Sequence, residues 1–242
     1  MYRIRITPSN ALLFNIGNIL HHIGTLSEIY HFSITTDNND QLNNLDINSV
    51  CLDTQILFLL SLFSKIFWID RTKLKNFRLT YFEIYLGIII QIIFLYKILI
   101  KYLEPVKEIL SLNKKFYERW YVLLIISIIL SILFADKKKE FYTYFNIYTD
   151  ALALIPQISI LFKEKDSKTI SKIYLLCLGI GRFIRFLFWF DVFKKRTNVL
   201  LLMLADFLHS IIILGTIYAY HVNSNIDIIP NYNKKTDKGN IL

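Results

Sequence analysis

The chain has 242 residues, of which 54% are hydrophobic, 15% aromatic and only 19% charged. Soluble domains of this size carry charge on roughly a quarter of their residues, so a single soluble core would lack the polar chain needed to wrap these apolar side chains. The net charge of +9 sits in short clusters near 71–78, 137–139, 163–172 and 194–196, each between apolar runs. That is the pattern of loop cations beside lipid headgroups, and it argues for a lipid bilayer as partner and against nucleic acid.

A bilayer core of about 30 Å is crossed by roughly 20 helical residues, and hydropathy predicts seven such helices. They cover about 11–32, 50–69, 79–101, 119–135, 141–162, 170–193 and 198–221. The opening MYRIRITPSN precedes a modest apolar stretch with no small-residue cleavage site after Leu20, where His21 and His22 follow. The first helix therefore reads as retained rather than removed as a signal. Next comes TTDNNDQLNNLDIN, which has no basic residue and reads as an exposed, flexible loop. The third, fourth and seventh helices rest on hydropathy alone, through the runs 84–100, 121–135 and 199–220; the other four contain polar residues. The fifth holds Pro156-Gln157, where proline removes a backbone hydrogen bond and is expected to kink the helix beside a cavity. Residues 1–222 are expected to form one seven-helix transmembrane domain, and 223–242, ending NKKTDKGNIL, a polar, disordered tail. Lysine and arginine are equally frequent in the loops of the two sides, so charge bias sets no orientation. Cys51 and Cys177 fall in or beside apolar segments and indicate no disulfide framework.

A charge at bilayer depth costs about 2.5–3.5 kcal/mol on insertion scales, so each needs a partner, a cavity or the interface. Lys97 and Glu83, near helix ends, are expected to snorkel to the headgroups, and Asp191 and Arg185 to be interfacial. Lys65 in SLFSKIFWI, Asp150 in NIYTDALALIPQ and Arg182 in LGIGRFIRF lie deeper. These three either pair as a structural network or line a cavity for an anionic ligand, and the excess of cations favours the cavity. His21 adds a charge that depends on pH, since imidazole titrates near neutrality. Asp206, His22 and His209 complete the intramembrane set. Nothing in it has the spacing of a nucleophile–base pair or a metal-ligand cluster, so no enzyme activity, metal or cofactor is expected.

The stretch FNIYTDALALIPQISILFKEKDSKTISKIYLLCLGIGRFIRFLFWF resembles the ER lumen protein-retaining receptors, the KDEL receptors. The resemblance rests on Asp150, Pro156-Gln157, Thr169-Ile170-Ser171, Tyr174-Leu175, Leu178-Gly179, Arg182 and Trp189 in order, and more loosely on Gly17, His21 and QILF at 55–58. It implies an all-α fold: a seven-transmembrane-helix bundle of two three-helix bundles plus a linker helix, as in SWEET transporters and PQ-loop proteins. It also implies a multi-pass receptor of the endoplasmic reticulum and Golgi membranes. Such a receptor captures C-terminal KDEL- or HDEL-like signals of soluble ER proteins in the more acidic Golgi and releases them in the ER. Residue by residue, Lys65 falls at the arginine that receives the terminal carboxylate, keeping the charge but losing the bidentate fork. Asp150, Arg182 and Trp189 match the ligand-binding set in kind, and His21 falls at the histidine linked to pH sensing. Lys234 and Lys235 correspond to tail lysines that engage vesicle coat proteins. Other family positions differ: Phe14, Ile66, Trp68, Gly181, Val192 and Gly215 stand where the related receptors carry polar contacts, Gly181 replacing a tyrosine that pairs with the fifth-helix acid. Two alternatives follow. One is a small-molecule transporter of the SWEET or PQ-loop type, disfavoured because the first three helices contain no proline. The other is a receptor-like protein that has lost signal binding.

Overall fold

A computed structural model of the chain describes residues 7–37, 51–69, 78–101, 115–135, 140–164, 171–195 and 200–226. Apart from a short 3-10 turn at Phe116–Glu118, their ordered elements are all α-helices. These are α1 (Pro8–Asp37), α2 (Leu52–Ile69), α3 (Arg78–Lys101), α4 (Trp120–Phe134), α5 (Phe141–Leu152), α6 (Ile155–Glu164), α7 (Lys172–Lys195) and α8 (Leu200–Ile226). Since α5 and α6 are the two parts of the fifth segment, they occupy the seven predicted stretches. Two ends differ from expectation: α1 starts at Pro8, a residue suited to a first helical turn, and runs on to Asp37, and α8 continues to Ile226. The Asn-rich stretch from 38 to 50 and the tail beyond 226, with Lys234 and Lys235, lie outside the described residues.

The fifth segment breaks where the sequence places its proline. The Ala153 N–H still donates to Thr149 O (3.0 Å), and Leu154 O accepts from the Ile158 N–H (3.0 Å). Pro156 has no N–H to continue the ladder between them. The break presents Gln157 to the neighbouring segment, where its Oε1 accepts the Cys51 N–H at 2.9 Å just before α2 begins.

The helices are turned inside out relative to a soluble bundle. On α3, Thr80, Glu83 and Gln91 face inward, while Phe82, Tyr85, Ile89, Ile92 and Tyr96 lie outside. On α4, Ser127 and Ser131 are buried, and Ile125, Ile129, Ile132 and Leu133 are exposed. An apolar rind of this extent suits hydrocarbon, in which polar groups must find partners inside the protein. Helices α2, α3, α7 and α8 are each long and apolar enough to cross a membrane. Polar cross-links accordingly tie neighbours together. Asn15 Nδ2 on α1 donates to Thr80 Oγ1 on α3 (3.1 Å), Gln91 Nε2 on α3 to Gln55 Oε1 on α2 (2.6 Å), and Asn146 Nδ2 on α5 to Ser61 O on α2 (2.7 Å).

Packing repeats between the two halves. Helix α3 packs against both α1 and α2, and α8 against both α5 and α7. The halves meet through α1 on α7 and through α2 on α5, while α4 lies against α5 and α2. An aromatic cluster of Phe14, Trp68, Phe188 and Trp189 fills one end of the inter-half contact, and Leu57, Phe58, Leu123 and Leu178 fill another part of the core. At the start of α4, the buried Asp53 of α2 caps a neighbouring helix, its Oδ1 accepting the Trp120 N–H at 3.0 Å. We expect Asp53→Ala to cost about 1 kcal/mol, the usual loss for a removed N-terminal cap, read as a lowered melting temperature of the detergent-purified protein.

Candidate functional site: a buried ionic centre

Charged side chains from five helices meet between the two halves. In the first half, Lys65 of α2 is 4% exposed and Glu83 of α3 fully buried. The ammonium donates to both carboxylate oxygens, at 2.9 Å to Oε1 and 2.8 Å to Oε2. His22 of α1 approaches the same carboxylate from the other side, its Nε2 2.7 Å from Oε1. The imidazole lies directly over Gly87, one turn along α3 from Glu83, where any Cβ would collide with the ring. The Phe14 ring stands 5.0 Å from the Lys65 Nζ.

In the second half, Asp150 of α5 receives a fork from Arg182 of α7, with Nη2 donating to Oδ1 at 2.7 Å and Nη1 to Oδ2. Arg185, one turn further along α7, donates through Nη1 to the same Oδ2. Its Nε reaches both oxygens of Asp206 on α8 at 2.9 Å, and its Nη2 reaches Oδ1. The result is a chain Arg182–Asp150–Arg185–Asp206 joining three helices, all four residues buried. Lys65 also feels Arg185 and Asp150, so the two groups form one electrostatic centre. Three cations face three carboxylates. Forked pairs of this kind are the arrangement in which buried charges best offset their desolvation cost.

Beside this chain lie polar atoms without protein partners. His209 of α8 is completely buried, and neither of its ring nitrogens has a hydrogen bond. His21 Nδ1, Arg182 Nε and Thr149 Oγ1 are also unsatisfied. His209 lies within electrostatic reach of Arg182, Asp150, Arg185 and His21, so the orphaned imidazoles face the same centre from α8 and α1. An unsatisfied buried polar group costs about 1–3 kcal/mol, which favours a polar guest at this point.

Of the residues expected at a site, Lys65, Asp150, Arg182 and His21 do converge here. Trp189 is buried in the aromatic cluster, edge-on to Phe188 at 4.9 Å and 6.2 Å from Trp68. Two expectations are corrected. Glu83 does not snorkel; the nearby Lys65 and His22 give it an interior partner that headgroups cannot match. Arg185 is not interfacial, because it lies three residues from Arg182 and so shares its face of α7, opposite Asp150 and Asp206. The same spacing relates Asp206 to His209 on α8, and these two offsets were the signal that could have assembled the set from sequence. Lys97 is exposed and donates to Ser33 Oγ of α1 at 2.7 Å. The expected excess of cations is absent from the centre, where each of Lys65, Arg182 and Arg185 binds a carboxylate.

Comparison with individually curated proteins returns no match for this chain. Comparison with protein families returns the ER lumen protein retaining receptors, matched over residues 46–191, well over half of the chain. The matched stretch contains Lys65, Glu83, Asp150, Arg182, Arg185 and Trp189. With this match laid over a helical, inside-out molecule, the chain belongs to the ER lumen protein retaining receptor family.

Proposed function

We propose that this protein is a multi-pass receptor of the endoplasmic reticulum and Golgi membranes that binds C-terminal KDEL- or HDEL-like signals and returns their bearers to the ER. The observation that carries the reading is the convergence of Lys65, Asp150 and Arg182, from three helices, on one buried centre inside the family-matched stretch. The repeated packing, α3 with α1 and α2 and α8 with α5 and α7, supports two three-helix bundles with α4 as linker, in a transmembrane domain of residues 1–222. A signal peptide would enter between the bundles, its carboxylates drawn to Lys65 and Arg182, with Trp189 in the adjoining aromatic wall and His21 coupling capture to acidity. Lys234 and Lys235, in a tail of residues 223–242, are the proposed contact for vesicle coat proteins.

The test is a titration of the purified protein with HDEL- and KDEL-ended peptides at mildly acidic and at neutral pH. Saturable binding, tighter in acid, is expected. The double variant Lys65→Met/Glu83→Gln, which removes both charges of one pair together, should weaken it about 10–100-fold, the value of a charge-assisted contact. A second reading, transport of a small solute, draws on the charge balance of the centre and the broken fifth segment. Solute uptake into liposomes without binding of any carboxy-terminal peptide would replace the receptor reading with that one.

A further inference from the structure

Lys65, the cation best placed for a ligand carboxylate, already holds one. Both Glu83 oxygens lie on its ammonium at 2.9 and 2.8 Å, and His22 Nε2 completes the grip at 2.7 Å from Oε1. The pocket is built around this arrangement: Gly87 clears the space for the imidazole, and Phe14 walls the ammonium. The groups facing Glu83 are Lys65 from α2 and His22 from α1. Beyond Lys65 come Arg185 and Asp150, and Arg185 is itself bound to Asp150 and Asp206. No cation of the centre is left over for a second anion.

We infer that the Lys65–His22 pocket is a carboxylate-binding site occupied from within by Glu83, and that a ligand carboxylate enters it only together with one proton, which Glu83 takes. The inference rests on the receptor reading only for the identity of the ligand, the C-terminal carboxylate of a peptide. Two carboxylates a few ångströms apart on one buried ammonium do not both stay ionised; they share a proton, as carboxylate dyads do. The balance is ligand carboxylate plus one proton from solvent plus the Lys65–Glu83 pair. The product is a ligand carboxylate on the Lys65 ammonium beside a neutral Glu83, whose O–H can donate to the incoming oxygen. Proton uptake on binding makes capture tighter as pH falls, by about tenfold per pH unit while one full proton is taken up. Glu83 is then the proton acceptor for a carboxylate held by Lys65, whereas His21 couples the remainder of the peptide to acidity.

The experiment uses the full chain in detergent with acetate as probe and thermal stabilisation as readout. Wild type should be stabilised by acetate at mildly acidic pH and not at neutral pH. Glu83→Gln, which mimics the protonated acid, should be stabilised equally at both, and Lys65→Met at neither. An acetate response that keeps its pH dependence in Glu83→Gln, or no response in acidic wild type, overturns the inference. Should Glu83→Gln fail to fold, infrared difference spectra of wild type with isotope-labelled acetate decide. A protonated-carboxyl band from the protein must appear on binding, and its absence is equally fatal. An HDEL-ended peptide separates this inference from the receptor reading. If the acetate results hold while no peptide binds wild type or Glu83→Gln, the receptor reading falls and the carboxylate site stands. If the peptide binds with the same pH dependence in both proteins, the receptor reading stands and this inference falls.

Discussion

Asp150→Asn is expected to lower the melting temperature more than any other neutralisation in the ionic centre. Asp150 is the only carboxylate there shared by two arginines, taking the Arg182 fork and the Arg185 Nη1. Asparagine fits the space but turns an amide toward two guanidinium groups. It leaves Arg182 without a carboxylate and the second-half group with two cations for Asp206. Breaking a buried pair from one side costs about 3–5 kcal/mol because the remaining charge stays buried and uncompensated, and a hydrocarbon surround offers that charge no water. The double variant Asp150→Leu/Arg182→Leu removes both charges and keeps Arg185 on Asp206. It should therefore be more stable than Asp150→Asn alone, despite carrying twice the substitutions. Thermal unfolding of the three proteins in one detergent checks the order. An asparagine variant as stable as wild type would mean that the pairing contributes nothing.

Much of this molecule is legible in the sequence because the signals are one-dimensional. Runs of about 20 apolar residues announce helices, and Pro156 announces the break in the fifth. The ends of α1 and α8 were not legible: Ser33 to Asp37 and the residues after His221 are polar by composition, yet the helices continue through them. The site shows the same limit in another form. Lys65, Asp150 and Arg182 stand out because each is a charge in an apolar run. Their partners do not stand out so well. Glu83 lies five residues into α3, where any carboxylate reads as interfacial, and only the tertiary approach of α2 and α1 makes it the counter-charge of Lys65. The charge count misled for the same reason: Glu83 and Asp206 lie on the next helix, 18 and 21 residues from Lys65 and Arg185, and only packing shows which cation each one balances.

Gly181 carries the last expected result, at a position where the family resemblance implies a tyrosine. The resemblance pairs that tyrosine with the fifth-helix acid; here the chain has glycine, and the α1 backbone packs directly against it. A Cβ at Gly181 would stand 2.5 Å from Gly17 O, and one at Gly17 2.6 Å from Gly181 O and 3.3 Å from the Arg185 backbone nitrogen. Both obstacles are backbone, so no side chain can turn away to relieve them. Helices α1 and α7 are therefore too close to admit a side chain at either position 17 or position 181, and Asp150 takes its second donor from Arg185, one turn along α7. Gly181→Ala should accordingly destabilise the protein by about 1–3 kcal/mol, the usual range for overpacking, although alanine is the better helix former by about 1 kcal/mol. Gly215→Ala supplies the control. A Cβ there meets nothing within 4 Å, so the same helical preference should appear undiluted as a small gain in melting temperature. Opposite signs for the two glycines locate the constraint at the α1–α7 crossing. A neutral Gly181→Ala would mean that the two helices can part without loss, and Gly181→Tyr could then restore the family's pairing by itself. With the crossing as tight as it is, that substitution should instead leave no folded protein, because a tyrosine fits there only if α1 retreats.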